Sequence, residues 1–240
     1  MYVVGYSSSP PPFSDLRDWF NLEYGGPIKF KDGRQEGAEL DIHFPVLATH
    51  GPWSAYVRIS LPTSEADEWR NQLSWRHPDG GSVGTITAVP REMSDLVLHA
   101  ARLARGLTLL TAGTAYDITT QAYLNPSDWQ DHPLAFFQIG NHITVRQGEA
   151  VQPDKDWFYT RGLSKFGLDE IEVFQPLGLP NRSVIDNLIG IADEVVRLGY
   201  SPKVGTTISI PDRGLSVQII RHRTVSADIP LILREVKWHS

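Results

Sequence analysis

The 240 residues include 41% hydrophobic, 10% aromatic and 21% charged side chains, which suits a packed core and excludes a disordered or fibrous chain. A net charge of -6 excludes a general electrostatic hold on DNA or RNA, and the absence of cysteine excludes disulfides, thiolate metal sites and cysteine nucleophiles. No stretch approaches the roughly 18 apolar residues of a membrane helix, and the start MYVVGYSSSPPPF lacks a basic flank, so the chain reads as cytoplasmic.

MYVV predicts an edge strand, and SSSPPP over 7–12 a surface loop, because consecutive prolines lack amide donors and hold the backbone extended. Ser14 is placed to cap a short helix through Leu16, Trp19 and Phe20 that stops at Gly25 and Gly26. AELDIHFPV and SAYVRISL alternate as two strands about a turn at His50, Gly51 and Pro52. The second of these, residues 54–61, is a candidate edge for self-association. Thr63 caps another helix, which ends before the turn HPDGGSVG at 77–84 and the strand TITAV.

SDLVLHAARLARG predicts a helix with Leu96, Val97, Ala100, Ala101, Leu103 and Ala104 inward. His99, Arg102 and Arg105 point away from that stripe, and Gly106 is its stop. LTLLTAG then returns as a strand, and TAYDITTQAYL forms a hairpin before the break at Asn125 and Pro126. SVIDNLIGIADEVVRLG predicts a second long helix stopped by Gly199, and TTISI, SVQIIRH and LILREVKW close the chain as strands. Runs of strands joined by few helices predict an α+β fold: two lobes of antiparallel or mixed sheet, each covered by one long amphipathic helix. The expected division is a proline-rich segment and short helix over 1–35, a first lobe over 36–125 and a second over 126–240, packed as one globular unit.

The stretch DWFYTRGLSKFGLDEIEVF, residues 156–174, concentrates the candidate site. Strand alternation puts Trp157, Tyr159 and Arg161 on one face, and Glu170, Glu172 and Phe174 on one face of the next strand, with the carboxylates about 7 Å apart. Two readings are open. Glu170 or Glu172 serves as acid or base with Arg161 holding an anionic group, or the charges form a solvated, ion-paired surface joined by Lys165 and Tyr159. Gly162 and Gly167 supply the dihedrals of a turn whose Leu163, Phe166 and Leu168 enter the core. A second polar cluster gathers Thr114, Tyr116, Asp117, Thr119 and Thr120, where a polar ligand and ordinary strand chemistry are both open. RHRT sets Arg221 and Arg223 on one strand face, suited to cross-strand pairing with a glutamate. Eight histidines form no HxH, HxxxH or HExxH pair, and there is no GxSxG elbow or Walker loop, so neither metal nor cofactor is expected.

The segments LHAARLARGLTLLTAGTAYDITTQAYLNPSDW and WFYTRGLSKFGLDEIEVF, with RHRT and LREVKW, resemble a group of uncharacterised bacterial proteins classed as a domain of unknown function. The resemblance covers roughly 90–240, is most specific at Thr-Arg-Gly-Leu, Lys-Phe-Gly and the acidic strand, and implies a bacterial intracellular protein without implying a reaction. In general character the chain is similar to bacterial immunity proteins. The leading expectation is a non-enzymatic protein-binding protein, immunity-type or regulatory, with a basic protein partner, no nucleic acid and no membrane, and a homodimer left open. The alternative is a hydrolase or transferase using Glu170 or Glu172 with Arg161.

Overall fold

Tyr2–Tyr6 forms β1, and all five of its residues are buried, because this strand lies inside a sheet rather than at its edge. The expected edge strand is therefore corrected: Val3 faces one side of the sheet, while Tyr2, Val4 and Tyr6 face the main core on the other, and only the loop after it, with Ser7, Ser8 and Ser9 exposed, lies at the surface as expected. The computed structural model describes every residue except 32–39, 73–80, 89–92, 153, 179, 226–229 and 240. The expected boundary at 35/36, the start of the AELDIHFPV strand, His77 and the glycine-rich turn as far as Gly80 lie outside the described residues. The fold is α+β, with one antiparallel sheet, one mixed sheet and five α-helices among the described residues. The chain divides into two units, Met1–Phe137 and Gln138–Ser240.

The first unit continues through α1 (Phe13–Tyr24), β2 (Lys29–Lys31), β3 (Val46–His50), β4 (Trp53–Arg58), α2 (Thr63–Gln72), β5 (Ser82–Ala88) and α3 (Met93–Thr111). It ends with β6 (Thr114–Asp117), β7 (Ala122–Leu124) and α4 (Pro126–Asp131). Its strands pair in the order β2-β3-β4-β5-β1-β6-β7, all antiparallel. β4 is interior, so residues 54–61 are no edge for self-association. Residues 40–45 do not extend β3 backwards, because the Asp41 carboxylate accepts the His43 amide at 2.8 Å and holds a turn.

Against one face of this sheet lies α3, with α1 packed beside it, and α2 brings Ala66 and Trp69 to the other face. α3 does not stop at Gly106 but runs five residues further, through Thr111, so the expected return into a strand at LTLLTAG is also corrected. Gly106 is there for close approach: a Cβ on it would lie 2.6 Å from the Trp19 indole of α1.

The second unit contains β8 (Thr144–Gln152), β9 (Lys155–Arg161), β10 (Glu170–Pro176), α5 (Asn181–Leu198), β11 (Thr207–Ile210), β12 (Leu215–Val225) and β13 (Leu231–His239). The strand order is β11-β12-β13-β10-β9-β8; β10 and β13 run parallel and the other pairs antiparallel. α5 packs against β8, β9, β10 and β11 through Val184, Leu188, Ile191, Ala192 and Val195, and Gly199 ends it in the left-handed region at φ 73°. A bulge at Ile220 changes the alternation of β12. Val217 and Ile219 are buried, whereas Arg221 pairs with Glu235 and Arg223 with Leu233, which turns both arginines onto the face that carries Glu172.

Candidate functional site

Between β9 and β10 the chain makes a 3-10 turn, Leu163–Phe166, bracketed by Gly162 at φ 127° and Gly167 at φ 69°. The amides opening such a turn have no partner within it. Glu170 supplies one: its carboxylate accepts Gly162 N and Thr160 Oγ1 at 2.8 Å each, and Leu163 N and Ser164 N at 3.2 Å each. Burial pushes the Glu170 carboxyl up, and these four donors oppose that rise. The apolar residues of the turn, Leu163 and Phe166, enter the core together with Leu168, as the sequence predicts.

Glu172 is used differently. Pairing of Glu172 with Tyr159 and of Phe174 with Trp157 brings the two predicted strand faces into one. Beneath that surface, Glu172 accepts Arg223 Nε at 2.6 Å, a second bond from Arg223 Nη2, and Trp157 Nε1 at 2.8 Å. Above it the aromatic rings stack: Trp157 and Tyr159 lie 4.6 Å apart, Trp157 and Phe174 are nearly parallel at 6.3 Å, and the Arg223 guanidinium stands over both Trp157 and Phe174. Arg221 extends the array over Phe174 at 5.9 Å while paired with Glu235. Gly148 of β8 leaves room for this arrangement, since a Cβ there would come within 2.1 Å of the Trp157 ring. Trp157, Tyr159, Phe174 and Arg223 are all partly exposed.

The exposed acidic surface expected at Glu170 and Glu172 is corrected by their 3% and 0% exposure. One carboxylate closes a turn and the other anchors an arginine, and neither could be left unpaired away from water. Arg161 is buried as well, and Lys165 is half-buried with Nζ donating to the His142 carbonyl at 2.6 Å. Tyr116 and Asp117 belong to the first unit. Asp117 is buried and accepts the Thr119 amide at 3.1 Å in the β6–β7 hairpin, while Tyr116 packs on Tyr123 across that hairpin.

A polar cluster on α3 departs from the sequence expectation. His99, Arg102 and Arg105 of α3, expected to point outward, are all buried. The His99 ring is parallel to that of His50 at 6.2 Å and sits against Phe20 and Trp53. Neither His99 nitrogen completes a hydrogen bond. Burial first, then His50 and Arg102, pushes the imidazole down to about 3. Arg102 donates to the Leu134 and Ala135 carbonyls and stacks on Tyr24; Arg105 donates to the Trp129 carbonyl, Glu23 and Tyr24. The only sequence signal is the presence of polar residues in a helix that is otherwise apolar nearly all round.

No protein-family model, curated protein or solved structure matches this chain. Among the described residues, no group of three or more His, Asp or Glu side chains is placed to hold a metal ion. No described helix is long and apolar enough to cross a membrane.

Proposed function

We propose that the chain is a non-enzymatic protein-binding protein of the immunity or regulatory kind, acting in the bacterial cytoplasm on a basic partner. The observation that carries this reading is the partly exposed array of Trp157, Tyr159 and Phe174, over which Arg223 is held by its pair with the buried Glu172. Rigid aromatic groups with a fixed arginine are the usual energetic anchors of protein interfaces. The net charge of -6 supports attraction of a basic protein over distance. The resemblance to the bacterial group of unknown function fits this reading.

The hydrolase or transferase reading has less support. Glu170, Glu172 and Arg161 are buried, and both carboxylates already hold donors that a catalytic acid or base would have to release. The test is capture from bacterial lysate at low and moderate salt, identification of what binds, and titration of that purified partner against wild type and a Tyr159→Ala, Arg221→Ala double variant. The expected result is one basic partner whose affinity falls at least about tenfold in the variant. Absence of a partner, or unchanged affinity in the variant, overturns the reading of this face.

A further inference from the structure

A different surface, in the first unit, carries a binding inference independent of the aromatic array. β2 begins its sheet and, among the described residues, hydrogen-bonds only to β3, so its other edge has no partner among them. Next to it is a groove of about 370 Å³ between β2 and the start of α1. Phe13, Ile28, Phe30 and Leu40 give it an apolar lining, with Phe13 and Phe30 in ring contact at 5.1 Å. Four consecutive residues, Ile28 to Lys31, line it. Alternate residues of a strand point to opposite faces, so a groove touching all four must pass along the backbone edge.

The rim has one sign of charge. Among the described residues, Arg17, Lys29 and Lys31 are the charged residues that line the groove, no acidic residue lines it, and both exposed lysines make no ion pair. Arg17 meets only its neighbour Asp18, in a pair that is 49% and 67% exposed. A strand edge beside a helix, with an apolar floor, is the geometry that accepts an extended peptide as an additional strand. We propose that this groove binds an acidic extended segment of a partner protein, which pairs along β2, seats alternate apolar side chains on the half-buried Phe30 and Leu40, and sets its carboxylates against Lys29, Lys31 and Arg17.

The probes are fluorescent octapeptides in which valine or phenylalanine alternates with aspartate, with serine, or with lysine, and an aspartate set with a central proline. They are titrated against the full chain at two salt concentrations. The acidic set should bind best and lose affinity with salt, and the proline set should lose at least about tenfold because proline cannot donate to a ladder. Lys29→Glu with Lys31→Glu, both exposed positions, should weaken the acidic set by at least about tenfold and leave the circular dichroism unchanged. Amide exchange at Lys29–Lys31 should slow on binding. Tyr159→Ala with Arg221→Ala should leave the peptide affinity unchanged, which separates failure of this site from failure of the aromatic one. Absence of a preference for the acidic set, equal binding by the folded lysine variant, or binding without protection of Lys29–Lys31 overturns the proposal.

Discussion

At the scale of single residues, Glu170 and His99 are two buried titratable groups with opposite circumstances. Glu170 holds four donors; Glu170→Ala leaves three amides and a hydroxyl without their acceptor and should lower the unfolding free energy by about 3–5 kcal/mol in urea titrations. His99 holds none, and its folded value of about 3 is far below the ordinary 6.5. The unfolded chain therefore binds the proton first as the pH falls below 6.5. The stability associated with neutral His99 is complete above that value and is lost progressively toward pH 3, by about 2–3 kcal/mol at pH 4.5. Denaturant midpoints at pH 7 and pH 4.5 should converge in His99→Phe; an undiminished pH dependence in that variant would place the effect elsewhere. The positions around Glu170 and Glu172 were legible because strand alternation alone sorts Trp157, Tyr159 and Arg161 from their neighbours. The use of the carboxylates was not, since whether a glutamate meets water or a turn's amides depends on what lies above it. The burial of His99, Arg102 and Arg105 was illegible for the same reason: Tyr24, Trp53 and the Leu134 carbonyl come from distant parts of the chain.

Elements show where a local signal has two meanings. Glycine marks a helix stop at Gly25 and Gly199, where φ is 78° and 73°, but lies inside a helix at Gly106, where it marks close packing, and at Gly190, where it does not. The sequence was read correctly at the first two and incorrectly at Gly106, because a stop and a contact with another helix leave the same residue. Space decides what substitution does. At Gly106 an added methyl meets the Trp19 ring at 2.6 Å and Leu16 at 2.9 Å, so overpacking exceeds the gain in helix propensity, and Gly106→Ala should destabilise by about 1–3 kcal/mol. At Gly190 the same methyl meets only the exposed, flexible Arg213 side chain, so Gly190→Ala should stabilise by about 0.5–1 kcal/mol. Paired urea titrations of the two variants check the opposite signs. In β12, the bulge at Ile220 explains how Arg221 and Arg223 leave the buried side of Val217 and Ile219 although all four share one parity in the sequence.

At the scale of the whole molecule, residues 126–137 belong with the first unit, where Trp129 and Leu134 enter the core and α3 arginines bind their carbonyls. No break in composition announces this, because the association is made by side chains of α3. Each unit has a sheet of its own whose strands come from that unit alone. Residues 138–240 expressed separately should therefore give a cooperative urea transition, read by circular dichroism and tryptophan fluorescence; a non-cooperative, unfolded spectrum would show that this unit needs the first. The positions of β1 and β13 bear on timing. The first strand of one sheet and the last strand of the other both lie in the interior: β1 between β5 and β6, both distant from it in the chain, and β13 between the preceding strand β12 and the distant β10. During synthesis β1 must wait, without partners, until β5 (Ser82–Ala88) has emerged, and the other sheet stays split into two pieces until Leu231 and its successors leave the ribosome. A nascent chain arrested before Leu231 would hold β8, β9 and β10 apart from β11 and β12, so the second unit closes only as its final strand arrives.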